Sequence, residues 1–338
     1  VQGWVGAADK VVMKTSSHLE RSAERRSANR AKGSAQAPRV RARPVLAGRS
    51  YKITRRCTER RMLFAPGVGP EDVANLVGYC LAHAAKRFGI EVHACVFMSN
   101  HHHTDVTDPA GKLIEFKQLF HSMLARGINA LRGRFDAVWS RDKPCDTRRP
   151  CDDDSLADLV YTLANPVSAG LVKWGHQWLG FTTYGWRFGE TRTYTRPGWI
   201  FDERGQLPET VQLTLSRPPI FAELDDEQLF ERLMAAVREA ELAAQERLRR
   251  EHRRFMGRDK LLKQHWDRTP RSFEARFTVA PSVAGSSKWL VLAELQRDRA
   301  WERVYAMARE KLIAGIEAVF PVGTYWLRRF AGVSIGPP

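Results

Sequence analysis

Three consecutive histidines, His101, His102 and His103, constrain the fold of this chain more than any other feature. They follow a strand-like run (Val92, Ala94, Val96, Phe97) and a turn pair, Ser99 and Asn100, and they precede Val106. The pattern predicts a hairpin: a strand from Glu91 to Met98, a tight turn, and a histidine strand to about Val106. On a strand alternate side chains share a face, so His101 and His103 point one way and His102 the other. Two imidazoles on one face are a common way to hold a divalent ion, and a histidine-rich turn at a strand end is the plain alternative.

The hairpin lies between two segments of helical period. Val73, Leu76, Val77, Cys80, Leu81 and Ala84 recur at helical spacing between Glu71 and Phe88, and Gly89 stands where a helix stop belongs. A second amphipathic helix, Leu113 to Leu131, carries Ile114, Phe116, Leu119, Phe120, Met123, Leu124 and Ile128 on its apolar side. A strand through Tyr51, Ile53 and Thr54 precedes these elements. A short strand near Ala137 to Ser140 and a helix from Ser155 to about Leu163 follow them. The order predicts an α+β fold, a ferredoxin-like antiparallel sheet with helices packed on one face and the last helix docked beside it.

With 338 residues the chain has room for more than one domain. Residues 1–43 mix Ser, Ala, Arg and Lys without apolar period and predict a disordered basic arm. Pro197, Pro208, Pro218 and Pro219 punctuate a linker over 191–222. A mainly helical carboxy-terminal region, 223–338, follows, with helices from about Asp225 to Phe255 and Ser287 to Val319.

A formal net charge of +16 points to a polyanionic partner, with nucleic acid first, although abundant arginine alone gives the same composition. Arg55, Arg56, Arg60 and Arg61, next to the first strand, are either phosphate contacts or a solvated cluster. The five cysteines form no C-x-x-C pair, which argues against a zinc ribbon and a secreted disulfide framework and makes a reducing cytoplasm the expected home. No run of about 18 apolar residues occurs, so no transmembrane helix is expected.

Tyr161 and Asn165 stand four apart on the helix that opens after Ser155, so they share a face, and Pro166 limits how far that helix continues. Taken singly, Tyr161 is an ordinary half-buried packing residue and Asn165 an ordinary helix-ending device. Placed under the histidine strand, they add a phenol and an amide oxygen to a two-histidine metal site. Those parts suffice for phosphoryl transfer, with the phenolate attacking phosphorus to leave a covalent 5′-phosphotyrosine and a free 3′-hydroxyl.

The run from Met98 to His103 and the segment from Tyr161 to Val172 (YTLANPVSAGLV) resemble the two signatures of the IS200-like single-tyrosine (HUH) transposases. The second segment, with Pro44, Gly48 and the run Tyr51 to Arg56, is especially similar to the REP-associated tyrosine transposase branch, over roughly residues 44–190. The resemblance implies a catalytic domain over that stretch and a metal-dependent DNA transposase that cuts and rejoins single-stranded or hairpin DNA. It assigns His101, His103 and Asn165 to a Mg²⁺ or Mn²⁺ ion and Tyr161 to the nucleophile. Two departures stand out. His102 replaces a bulky apolar residue and needs a hydrogen-bond partner if it faces the core. Thr104 and Asp105 replace an apolar stretch, and Asp105 shares the face of the ligand pair. The competing expectation is a DNA-binding protein that keeps the transposase fold and does not cut; a metal-dependent hydrolase in which water attacks is more distant.

Overall fold

The computed structural model describes residues 42–67, 69–141, 145–150, 152–270 and 281–337. The basic arm expected over 1–43 therefore lies outside the described residues except at 42 and 43. Strands β1 (Arg49–Arg56), β2 (Glu91–Phe97), β3 (His101–Asp108) and β4 (Cys145–Arg148) form one antiparallel sheet in the order β2-β3-β1-β4. Helices α1 (Pro70–Phe88) and α2 (Leu113–Arg132) connect the strands, and α3 (Asp152–Ser168) follows β4. The result is the expected α+β architecture with a ferredoxin-like strand order.

The helix ends have local causes. Acidic Glu71 and Asp72 open α1, basic Lys86 and Arg87 close it, and each charge complements the helix dipole. Gly89 and Gly133 take left-handed conformations at φ 65° and 61°, which lets their N–H groups satisfy the last carbonyls of α1 and α2. At Gly127 the two helices approach so closely that a Cβ would lie 2.5 Å from Leu76 Cδ1.

Both faces of the sheet are covered: α1 and α2 lie on one face, as expected, and α3, expected to dock beside the sheet, covers the other. Tyr51, Ile53, Cys95, Phe97 and Val106 face a core built with Leu76, Val77 and Leu81 of α1 and Phe116, Phe120 and Leu124 of α2. Val96 and Met98 face a second core with Val167 of α3, Trp178 and Ala244. Alternate residues of β2 and β3 thus meet different helices, which explains why both strands are buried nearly throughout.

The fourth strand is also displaced from its expected position. The apolar pair Val138 and Trp139 runs beside the end of β1 through a bridge to Cys57 and bonds from Thr58 N–H to the Val138 carbonyl and from Ser140 N–H to the Arg56 carbonyl. Regular pairing resumes only at β4, where Cys145 faces Thr54 and Asp146 faces Ile53. Both stretches lie along one edge of β1, and the polar one makes the longer ladder.

Within 191–222, the expected linker, β5 (Thr191–Thr195) and β6 (Thr210–Thr214) form a hairpin that packs on α1. Asn75 of α1 holds it in both directions, donating to the Thr195 carbonyl at 2.8 Å and accepting from Thr195 N–H at 3.2 Å. The long helix α4 (Asp226–Arg250) opens with a reciprocal cap between Asp225 and Gln228 and packs along α3. Arg247 of α4 donates to the Ser168 carbonyl at 2.7 Å and so caps the end of α3. After the short α5 (Arg258–Leu262) come α6 (Lys288–Ile313), β7 (Val319–Phe320), α7 (Trp326–Ala331) and β8 (Ser334–Ile335). Arg148 of β4 fastens α6 through Glu294 at 3.4 Å and Asp298 at 2.6 Å. No helix among the described residues is long and apolar enough to cross a membrane.

Candidate active site

The β1–β3 register sets the site. Arg56 pairs with His101, Thr54 with His103 and Lys52 with Asp105, so these six side chains share the face that α3 covers. The rings of His101 and His103 meet edge to face with centroids 4.9 Å apart. His101 Nδ1 bonds Asn100 Oδ1 at 2.7 Å, and because that oxygen only accepts, the ring proton sits on Nδ1 and Nε2 keeps its lone pair. His103 Nδ1 meets Thr54 Oγ1 at 2.9 Å, while its Nε2 is buried with no hydrogen-bond partner.

Helix α3 brings the tyrosine to this pair. The Tyr161 ring contacts the His103 ring edge-on at 5.2 Å between centroids, and the side chain is 52% exposed. Asn165 lies one turn on and is buried, and its amide makes no hydrogen bond among the described residues. Pro166 does not end the helix, which continues to Ser168 and stops at Gly170 with φ 75°. The missing Pro166 N–H costs α3 one backbone bond in its last turn, where packing of Val167 against the second core holds the chain helical.

His102 faces the opposite core and is satisfied there. Arg55 Nη1 donates to His121 Nδ1 at 2.8 Å, which leaves the His121 proton on Nε2 to reach His102 Nε2 at 3.0 Å. His102 must then carry its own proton on Nδ1, donated to Thr104 Oγ1 at 2.9 Å. Its ring stacks on Phe97 with centroids 4.7 Å apart. The chain of bonds supplies what a histidine in an apolar position requires, and α2 contributes the partner, His121, that pattern reading missed.

Burial keeps these imidazoles neutral. It holds His101 down to about 4, with the Arg56 guanidinium adding to the effect, and His102 down to about 3; His103 and His121 move the same way. Neutral rings are the form that binds metal. Among the described residues no group of three or more His, Cys, Asp or Glu side chains is placed to hold an ion. The lone pair on His101 Nε2 and the orphaned His103 Nε2 are nitrogen donors of the kind a divalent cation takes.

Asp105 is engaged elsewhere. It accepts from Thr162 Oγ1 at 2.6 Å and lies 3.9 Å from Lys52 Nζ; burial pushes its carboxyl up to about 7 against the pull of that ammonium. Lys52 also reaches Asp158, and Arg149 donates to the same carboxylate at 2.8 Å. The signal for this cluster is faint: a lysine between Tyr51 and Ile53 on a strand, and a threonine four residues after an aspartate on a helix.

The four arginines do not share one face. Arg56 is exposed on the His101 face. Arg55 turns to the other face, where its guanidinium lies 5.2 Å from the centre of the Trp139 ring. Arg60 occupies a left-handed turn with Glu59, at φ 59° and 50°, and Arg61 pairs with Glu59 and Asp267. Trp178 and Trp186 are buried, whereas Trp174 is covered by Arg238, whose guanidinium lies 3.5 Å from the ring centre.

No protein-family model and no curated protein matches this sequence. Among solved structures, the chain is similar to a REP-associated tyrosine transposase bound to a REP hairpin, at 16% identity and a TM-score of 0.34, over 45% of this chain and 83% of that one. A likeness at that level decides neither family nor activity.

Proposed function

We propose that this protein is a metal-dependent single-tyrosine DNA endonuclease and strand transferase acting on single-stranded or hairpin DNA, as in transposition. The contact between an exposed tyrosine and a buried histidine pair carries the reading, because a phenol beside two neutral imidazoles supplies a nucleophile next to nitrogen ligands for a metal ion. The Tyr161 phenol oxygen attacks phosphorus and forms a P–O bond; the bond to the 3′ oxygen breaks, and the products are a 5′-phosphotyrosine and a free 3′-hydroxyl. The phenolic proton passes to bulk water, and the departing 3′ oxygen takes up a proton from it. His101, His103 and Asn165 would hold Mg²⁺ or Mn²⁺, which supplies neutralisation of charge developing on the phosphate. Arg56, exposed on the same face, adds a phosphate contact that fixes register without reading bases.

A non-cutting DNA-binding protein with the same fold is the second reading. It is favoured by a donor set that contains no carboxylate, since Asp105 is engaged by Lys52 and Thr162. Purified protein incubated with labelled hairpin DNA and Mn²⁺ or EDTA, then run on a denaturing gel, separates the two. A metal-dependent adduct that is lost in Tyr161→Phe supports catalysis, and tight binding without an adduct supports the second reading.

A further inference from the structure

We propose that Lys52 is a positioning residue for Tyr161, a role that rests on Tyr161 being the nucleophile. Each hydrogen of the Lys52 ammonium has an acceptor on α3: the Asp158 carbonyl at 3.0 Å, Asp158 Oδ1 at 3.2 Å and Thr162 Oγ1 at 3.2 Å. Those residues flank Tyr161 on the helix, and the ammonium lies 4.4 Å from the centre of the tyrosine ring. Thr162 passes the link onward by donating to Asp105 on β3. The helix is therefore pinned to β1 and β3 at the turn that carries the nucleophile.

The pin has a cost that stability does not explain. Lys52, Asp105, Asp158 and Thr162 are all buried, and well-packed apolar residues commonly serve as well or better than a buried ion cluster. A half-exposed tyrosine, by contrast, has rotamer freedom that must be removed before its oxygen can meet phosphorus in line. The cation over the ring and the His103 ring at its edge remove it from two sides.

The test uses the full chain carrying 3-fluorotyrosine, with the Tyr161 resonance assigned by its loss in Tyr161→Phe. Lys52→Met is expected to slow adduct formation at saturating labelled hairpin DNA with Mn²⁺ by about 10²-fold, the order expected for a misplaced reacting group. The DNA concentration at half-saturation should stay unchanged, and the Tyr161 fluorine signal should shift or broaden. Thr162→Val, which keeps the charge and loses one link, should show the same changes to a smaller degree, and it carries the test if Lys52→Met does not fold. If the wild type itself forms no Tyr161 adduct, the proposed function falls and the positioning role falls with it, whereas a wild-type adduct with unslowed folded variants overturns the role of Lys52 alone.

Discussion

Tyr161 meets His103 edge to face, with ring centroids 5.2 Å apart, although 58 positions separate them in the chain and they lie on different kinds of element. The contact exists because β3 turns its odd-numbered residues toward α3 while the even-numbered ones face α2. That division of one strand between two environments gives His102 and His103, adjacent in sequence, different partners.

Arg55 and Arg56 are neighbours in sequence with opposite fates. Arg56→Ala should weaken DNA binding uniformly across sequences and reduce the salt dependence of log affinity by a slope of about 1, as for loss of one phosphate contact. Arg55→Ala should leave that slope unchanged and instead lower the melting temperature, because it removes the donor to His121 and the cation over Trp139. Titrations at several salt concentrations and a thermal melt check both.

His102 is fixed by its hydrogen bonds and not by metal. His102→Leu should destabilise the fold by roughly 1–3 kcal/mol, because it leaves the His121 Nε2–H buried and unpaired. His121→Leu should cost a similar amount, and the double variant should cost less than the two together, as in any cycle around a shared bond. Urea denaturation of the three variants measures the coupling.

His93 of β2 gives the fold an acid sensitivity away from the site. It bonds the Ser216 carbonyl and Thr107 Oγ1, both at 2.8 Å, and burial holds it down to about 4 from an ordinary 6.5. Between those values the unfolded chain takes up a proton that the folded chain refuses, so stability falls as pH drops from about 6.5 to 4, by about 3 kcal/mol for this group. Burial lowers His101 and His102 as well, and they act in the same direction. Asp105, whose carboxyl burial pushes up to about 7, takes up a proton in the folded chain over the same range and opposes the histidines. The change in stability from pH 7 to pH 5 should therefore be more favourable to the fold in His93→Gln than in the wild type.

Much of the fold is legible in the sequence where period and punctuation agree. Helix α1 ends at Gly89 and the hairpin turns at Ser99 and Asn100, as the residues indicate. Val138 and Trp139 mislead because their apolar character reflects burial beside the end of β1, whereas the strand itself is the polar Cys145–Arg148. The hairpin within 191–222 is hidden because β5 reads Thr-Arg-Thr-Tyr-Thr, with its anchors on α1 more than a hundred residues earlier. At the site, His101, His103 and Tyr161 come together, while Lys52 escapes notice because its partners Asp158 and Thr162 lie 106 and 110 positions away. No local pattern encodes a contact of that range.

Attack on DNA by the Tyr161 phenol is the step on which the proposed function stands. Its hydroxyl sits on a half-exposed ring, so Tyr161→Phe should change stability by no more than about 0.5 kcal/mol and leave DNA affinity intact. Mass spectrometry of the adduct formed with hairpin DNA and Mn²⁺ reads this attack out at the residue. The expected result is a nucleotide fragment joined through phosphate to the peptide containing Tyr161, absent from Tyr161→Phe and from EDTA-treated samples. Cleavage that persists in Tyr161→Phe without any protein-linked DNA would contradict it.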